Sequence, residues 1–176
     1  MPYGGRSLSE WKQAHRRAPA EAAASDVLEP YRNVTIIHGT DWDPKKPFVA
    51  NSVSNITDAA LAKGYSRDQI HDLLVKNSAE LAVATSKAPP SAALFTAFHS
   101  TPTMVYFSKG VAMPYKSFAG TISKTLQGQP LGPTVLWGCH MENAGQYLAT
   151  QHNWSNWTAL GKAYGNLYGQ WGITQW

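Results

Sequence analysis

One cysteine in 176 residues rules out a disulfide within the chain, so packing alone must stabilise it and Cys139 is left free for other chemistry. No apolar run approaches the roughly 20 residues that cross a bilayer. Residues 1–17 are polar where a secretory signal carries an apolar centre, so a chain working in water, without a membrane partner, is expected. Charge is sparse as well: Asp, Glu, Lys and Arg make up 15% of the residues, leaving Ser, Thr, Asn, Gln and Gly to supply much of the surface. That composition suits a secreted or delivered protein better than a cytoplasmic one. The net charge of +4 is scattered apart from residues 12–17 and the pair Lys45-Lys46, so no basic stripe for nucleic acid can be drawn. A Gly-rich phosphate loop, a dinucleotide fingerprint and a Gly-x-Ser-x-Gly elbow are all missing, and no cofactor is expected.

What the chain does have is core material: 43% hydrophobic residues, with 7 Trp, 8 Tyr and 5 Phe, suffice for one domain spanning residues 1–176. Residues 1–30 read as a peripheral helical arm broken near Pro19. Asn33-Val34-Thr35-Ile36-Ile37-His38-Gly39 has the β-branched density of a buried strand. Residues 43–55 hold Pro44 and Pro47 and read as loop, with Thr57-Asp58 capping a short helix that Gly64 ends. Ile70, Leu73, Leu74, Asn77, Leu81 and Ala84 recur at helical spacing, which predicts one helix over 67–85 capped by Ser66. Strands are predicted at 93–98, 104–107 and 135–137, with helices over 117–126 and 144–151 between and after them. Strands alternating with helices predict an α/β fold, a three-layer sandwich around a largely parallel central sheet. The segment 153–176, rich in Trp and Tyr, closes the core over one sheet face or offers a stacking surface.

Two of the predicted strands end in chemistry. The run at 93–98 leads into His99, and that at 135–137 leads through Gly138 into Cys139. In parallel α/β sheets the carboxyl ends of strands gather at one crevice, because the crossovers leave that edge open. If the two strands are neighbours, a spacing of about 5 Å sets imidazole and thiol around one acyl group. A thiol becomes a nucleophile once a base takes its proton, which makes Cys139 the candidate nucleophile and His99 its general base. His38, at the end of the first strand, is a reserve base. His140 follows the cysteine and would serve only if the chain turns there. Asp41 and Asp43, just past His38, either orient an imidazole or cap a turn.

The segment 92–149 resembles the caspase-like cysteine peptidases. Leu94-Phe95-Thr96-Ala97-Phe98-His99 is similar to the strand that ends in that family's catalytic His. Phe118 to Leu126 matches the helix that follows, and Thr134-Val135-Leu136-Trp137-Gly138-Cys139 matches the strand leading to the nucleophile. The resemblance implies a cysteine-dependent acyl-transfer hydrolase acting on a peptide or another amide or ester. Ser100 stands where the family has a Gly after its His, and His140-Met141-Glu142-Asn143 replaces its Gly-containing sequence after the Cys. Ile37-His38-Gly39-Thr40 and Gly138-Cys139 also resemble the two motif pieces of the L,D-transpeptidases, although those lie much closer together in that family.

Other readings stay open. Cys139 also suits a small core position, which would leave a non-catalytic binding domain using its aromatic C-terminal segment. A small basic toxin domain acting on nucleic acid through its histidines is a further alternative. His38, His99, Cys139, His140 and Glu142 are all metal-ligand types, yet no close ligand spacing joins them, and no metal is expected.

Overall fold

The β-branched run predicted as the first strand is β1, Val34–His38, buried along nearly its whole length inside a parallel sheet. The computed structural model describes residues 33–89, 91–126, 134–152 and 157–160. The arm at 1–30 lies outside them, as does the C-terminal aromatic segment except for residues 157–160.

A strand buried on both faces needs a partner on each edge. β1 has β2, Ile70–Leu74, on one side and β3, Ala93–Ala97, on the other, both parallel. Beyond β3 come β7, Thr134–Trp137, and β8, Trp157–Leu160, giving the order β2-β1-β3-β7-β8. The fold is therefore α/β with a parallel sheet.

Side chains alternate between faces along each strand, so the sheet builds two separate cores. On one face Val34, Ile36, Phe95, Ala97, Val135 and Trp137 pack with Val49, Ile56 and Ala60 of helix α1, Phe48–Ala62. On the other, Ile37, Leu94, Phe98 and Leu136 pack with Leu81 of α2, Ser78–Lys87, Phe118 and Ile122 of α3, Tyr115–Leu126, and Leu148 of α4, Met141–His152. Burying each of these large side chains is worth about 1.5–3 kcal/mol, so a truncation such as Phe95→Ala, at a side chain with no exposed surface, costs about 3–5 kcal/mol.

Two predicted elements are corrected. Residues 43–55 are not all loop, because α1 starts at Phe48, directly after Pro47. Its cap comes from Asp41, whose Oδ1 accepts from the Val49 N–H at 2.8 Å and Oδ2 from the Ala50 N–H at 3.0 Å. Thr57 is not a cap but a mid-helix residue whose hydroxyl donates to the Val53 carbonyl. Gly64 does end the helix, at φ +96°, with the Tyr65 N–H returning to the Ala60 carbonyl.

The single helix predicted over 67–85 is three elements. Ser66 and Gln69 form a capping box, but around one 3-10 turn, Arg67–Gln69. The chain then becomes β2, because β1 requires an edge partner, and α2 starts afresh at Asn77, whose side chain accepts from the Glu80 N–H at 2.9 Å.

Past β3 the chain leaves the sheet through Phe98 and forms a separate antiparallel sheet: β4, His99–Ser100, β5, Met104–Ser108, and β6, Val111–Pro114. His99 thus sits where one sheet hands the chain to the other. Among the described residues no helix is long and apolar enough to cross a membrane.

Candidate active site

β3 and β7 are adjacent and parallel, with Ala97 opposite Trp137, and the Phe98 N–H extends their ladder to the Trp137 carbonyl at 3.0 Å. His99 and Cys139 each follow two residues past that last register pair. The two strand ends are tied once more where the Ser100 hydroxyl donates to the Cys139 carbonyl. Gly138 is what allows such proximity. A Cβ built there would run into the Phe98 carbonyl oxygen and lie 2.8 Å from the Ser100 Oγ, so a side chain would force the strand ends apart.

The chain turns immediately after Cys139. His140 adopts a left-handed conformation at φ +57°, and the Met141 N–H reaches back to the Gly138 carbonyl as α4 begins. Despite that turn, the half-exposed His140 ring lies beside Glu142, Nδ1 to Oε1 being 3.7 Å. Cys139 itself is partly exposed rather than sealed in the core. Burial pushes its thiol pKa up, against the pull of its own backbone N–H, and the negative charge of Glu142 adds to the rise. Among the described residues no imidazole is hydrogen-bonded to the sulfur.

His99 is held from several sides. Its Nε2 lies 3.0 Å from Asp41 Oδ1, the side chains being 19% and 11% exposed. Trp42 stacks on the ring with centroids 4.6 Å apart and planes at 28°, and Phe48 approaches it at 5.5 Å. Tyr106 of β5 stands edge-on to Trp42. One ring edge of His99 is therefore fixed, and Nδ1 has no hydrogen-bond partner among the described residues.

His38 is placed differently. Nδ1 lies 2.7 Å from the Gly39 carbonyl and Nε2 2.7 Å from Asp72 Oδ1 of β2. Both acceptors are satisfied at once only by the doubly protonated ring. Burial works against that cation, but the hydrogen bonds it donates to Asp72 and Gly39 and the charges of Asp72 and Asp41 outweigh it and raise the pKa. β3 separates β1 from β7, so the Ile-His-Gly-Thr segment and Gly138-Cys139 do not lie on neighbouring strands.

The structure thus brings the ends carrying His99 and Cys139 side by side, and it couples His38 to Asp72 instead. Asp41, open in the sequence between a turn cap and an imidazole partner, fills both roles. Its only sequence signal was its place just past a strand end, because its eight-residue reach to Val49 and its contact with His99 arise from tertiary structure. Among the described residues no group of three or more His, Cys, Asp or Glu is arranged to hold a metal ion. Comparison of the chain with protein-family models and with curated proteins finds no match.

Proposed function

We propose that this chain is a cysteine-dependent acyl-transfer hydrolase of the caspase-like peptidase kind, a three-layer α/β sandwich with Cys139 as nucleophile and His99 as general base. The observation that carries the reading is the pairing of β3 with β7, which delivers a partly exposed thiol and a half-buried imidazole at matching positions on the open edge of a parallel sheet. Placement of this kind supports acyl transfer because a substrate carbonyl lodged between the two ends meets nucleophile and base together.

The raised thiol pKa says how the cycle starts. Burial favours the neutral thiol of Cys139, so the proton leaves sulfur for His99 as sulfur attacks, rather than beforehand. The new C–S bond pushes the carbonyl electrons onto oxygen. On collapse the C–N or C–O bond breaks, and His99 returns its proton to the departing amine or alcohol. Water, deprotonated by the same ring, then hydrolyses the thioester and frees Cys139. The low fraction of charged residues supports a secreted or delivered enzyme.

The test is covalent trapping. An activated ester such as p-nitrophenyl acetate should leave one acetyl group on Cys139, detected by mass spectrometry of the peptide that contains it. Cys139→Ser should lose both the adduct and turnover on a mixed peptide library while its melting temperature stays unchanged. Retention of turnover by that variant would overturn the proposal.

A further inference from the structure

We propose that Asp41 is the positioning residue of this site, a single carboxylate that anchors the start of α1 and through the same oxygen fixes which nitrogen of His99 is the base. The inference rests on the assignment of Cys139 and His99 above and adds a third group to it.

The Asp41 carboxylate is 11% exposed, and its oxygens are spoken for. Oδ1 accepts from the Val49 N–H at 2.8 Å and faces His99 Nε2 at 3.0 Å, while Oδ2 accepts from the Ala50 N–H at 3.0 Å. Two amides of a helix's first turn hold it from one side, so the group cannot swing away from the ring without undoing the cap. An ionised carboxylate only accepts hydrogen bonds, so Nε2 must carry the proton that lies between them. The neutral ring then has its lone pair on Nδ1, the nitrogen without a partner among the described residues and the one free to take a thiol proton. Trp42, the next residue along, lies flat against the same ring and prevents it from turning about its Cβ–Cγ bond. The loop between β1 and α1 therefore fixes the ring's orientation and its proton, although it contributes no reacting atom. A plain helix cap would need no histidine on its oxygen, and a plain histidine partner would need no amides.

The two roles separate under substitution. Asp41→Asn keeps one oxygen that can accept from the first turn of α1, but presents an amide N–H2 as well, which favours the opposite tautomer of His99. Nitrogen-15 NMR of the wild-type protein at alkaline pH should show the proton of His99 on Nε2, and Asp41→Asn should move it wholly or partly to Nδ1. In the same variant kcat should fall about 100-fold or more, in the range of lost general-base catalysis, with KM within about twofold and little change in melting temperature. A wild-type His99 protonated on Nδ1 would overturn the inference without any variant having to fold. So would a kcat for Asp41→Asn within about threefold of wild type, or losses that merely track melting temperature across Asp41→Asn and Asp41→Ala. These outcomes differ from failure of the parent assignment, which shows as persistent turnover in Cys139→Ser whatever the tautomer.

Discussion

His38 ends β1 and His99 lies two residues past the end of its parallel neighbour β3, and the chain treats them in opposite ways. His38 is bonded at both nitrogens, to a backbone carbonyl and to Asp72, and these contacts favour its protonated form despite its burial. His99 is bonded at one nitrogen, stacked under Trp42, and keeps the other nitrogen open. A strand-end histidine is thus read by how many of its nitrogens are committed rather than by its place on the sheet. Two bonds commit both ring nitrogens; one bond and a stacked indole leave an oriented ring with one nitrogen open, as the proposed base requires.

The largest expected effect is on that distinction itself. His99→Ala should lower kcat/KM by roughly 10²–10⁴-fold, the usual range for a lost general base, while His38→Gln should stay within about threefold of wild type. Steady-state rates on whichever ester or peptide the wild type hydrolyses decide the matter. A loss in His38→Gln as deep as in His99→Ala would reverse the two roles.

Next in size is the joint that keeps the His99 end against the Cys139 end. Gly138→Ala places a methyl group against the Phe98 carbonyl, a backbone atom that cannot yield as a flexible side chain does. Overpacking usually costs about 1–3 kcal/mol, and with backbone as the neighbour the upper end, about 3 kcal/mol, is expected in urea denaturation. Gly64→Ala serves as the control: it also strains a positive φ, but nothing lies within 4 Å of its new methyl, so it should cost less and leave activity intact. If both variants lose activity in proportion to stability alone, the close approach has no bearing on the site.

These joints mark the boundary of what the sequence makes legible. β1, β3 and β7 were readable because strands buried on both faces are written as continuous apolar or β-branched runs, and those runs end at His38, His99 and Cys139. β2 was not, since it is an edge strand of mixed exposure whose Ile70, Leu73 and Leu74 fit a helical period equally well; only the need of β1 for a partner makes it a strand. α1 was half hidden because it lacks a local cap and is rich in Asn and Ser, while its real cap, Asp41, sits beyond a Pro-containing turn. The contact of Asp41 with His99 joins residues 58 apart in sequence, and no spacing rule would find it.

A smaller effect concerns the thiol that His99 would serve. Burial is the main cause of the raised Cys139 pKa, and the charge of Glu142 adds to it. Glu142→Gln should therefore favour the thiolate and speed alkylation by iodoacetamide near neutral pH, by less than about tenfold because one neighbouring charge near the surface is a modest perturbation. Slower alkylation would mean that Glu142 acts on the turn at His140 rather than on the sulfur. No equivalent change is expected from His38→Gln, whose partner Asp72 is on β2, separated from β7 by β1 and β3.

The smallest effect should be the clearest signature of His38. Its pKa is higher in the folded chain than the ordinary 6.5, so folding favours the protonated ring. The associated stability is fully present below the unfolded value and is lost as pH rises through the raised folded value; the change therefore runs upward from about pH 6.5. Its size should stay below about 1 kcal/mol, because Asp72 is 52% exposed and water screens the pair. Unfolding free energies measured across that window should decline in the wild type, and decline less in His38→Gln and Asp72→Asn, with added salt shrinking the difference. Equal slopes in all three proteins would show that His38 folds as a neutral ring, and its second nitrogen would then be as available as that of His99.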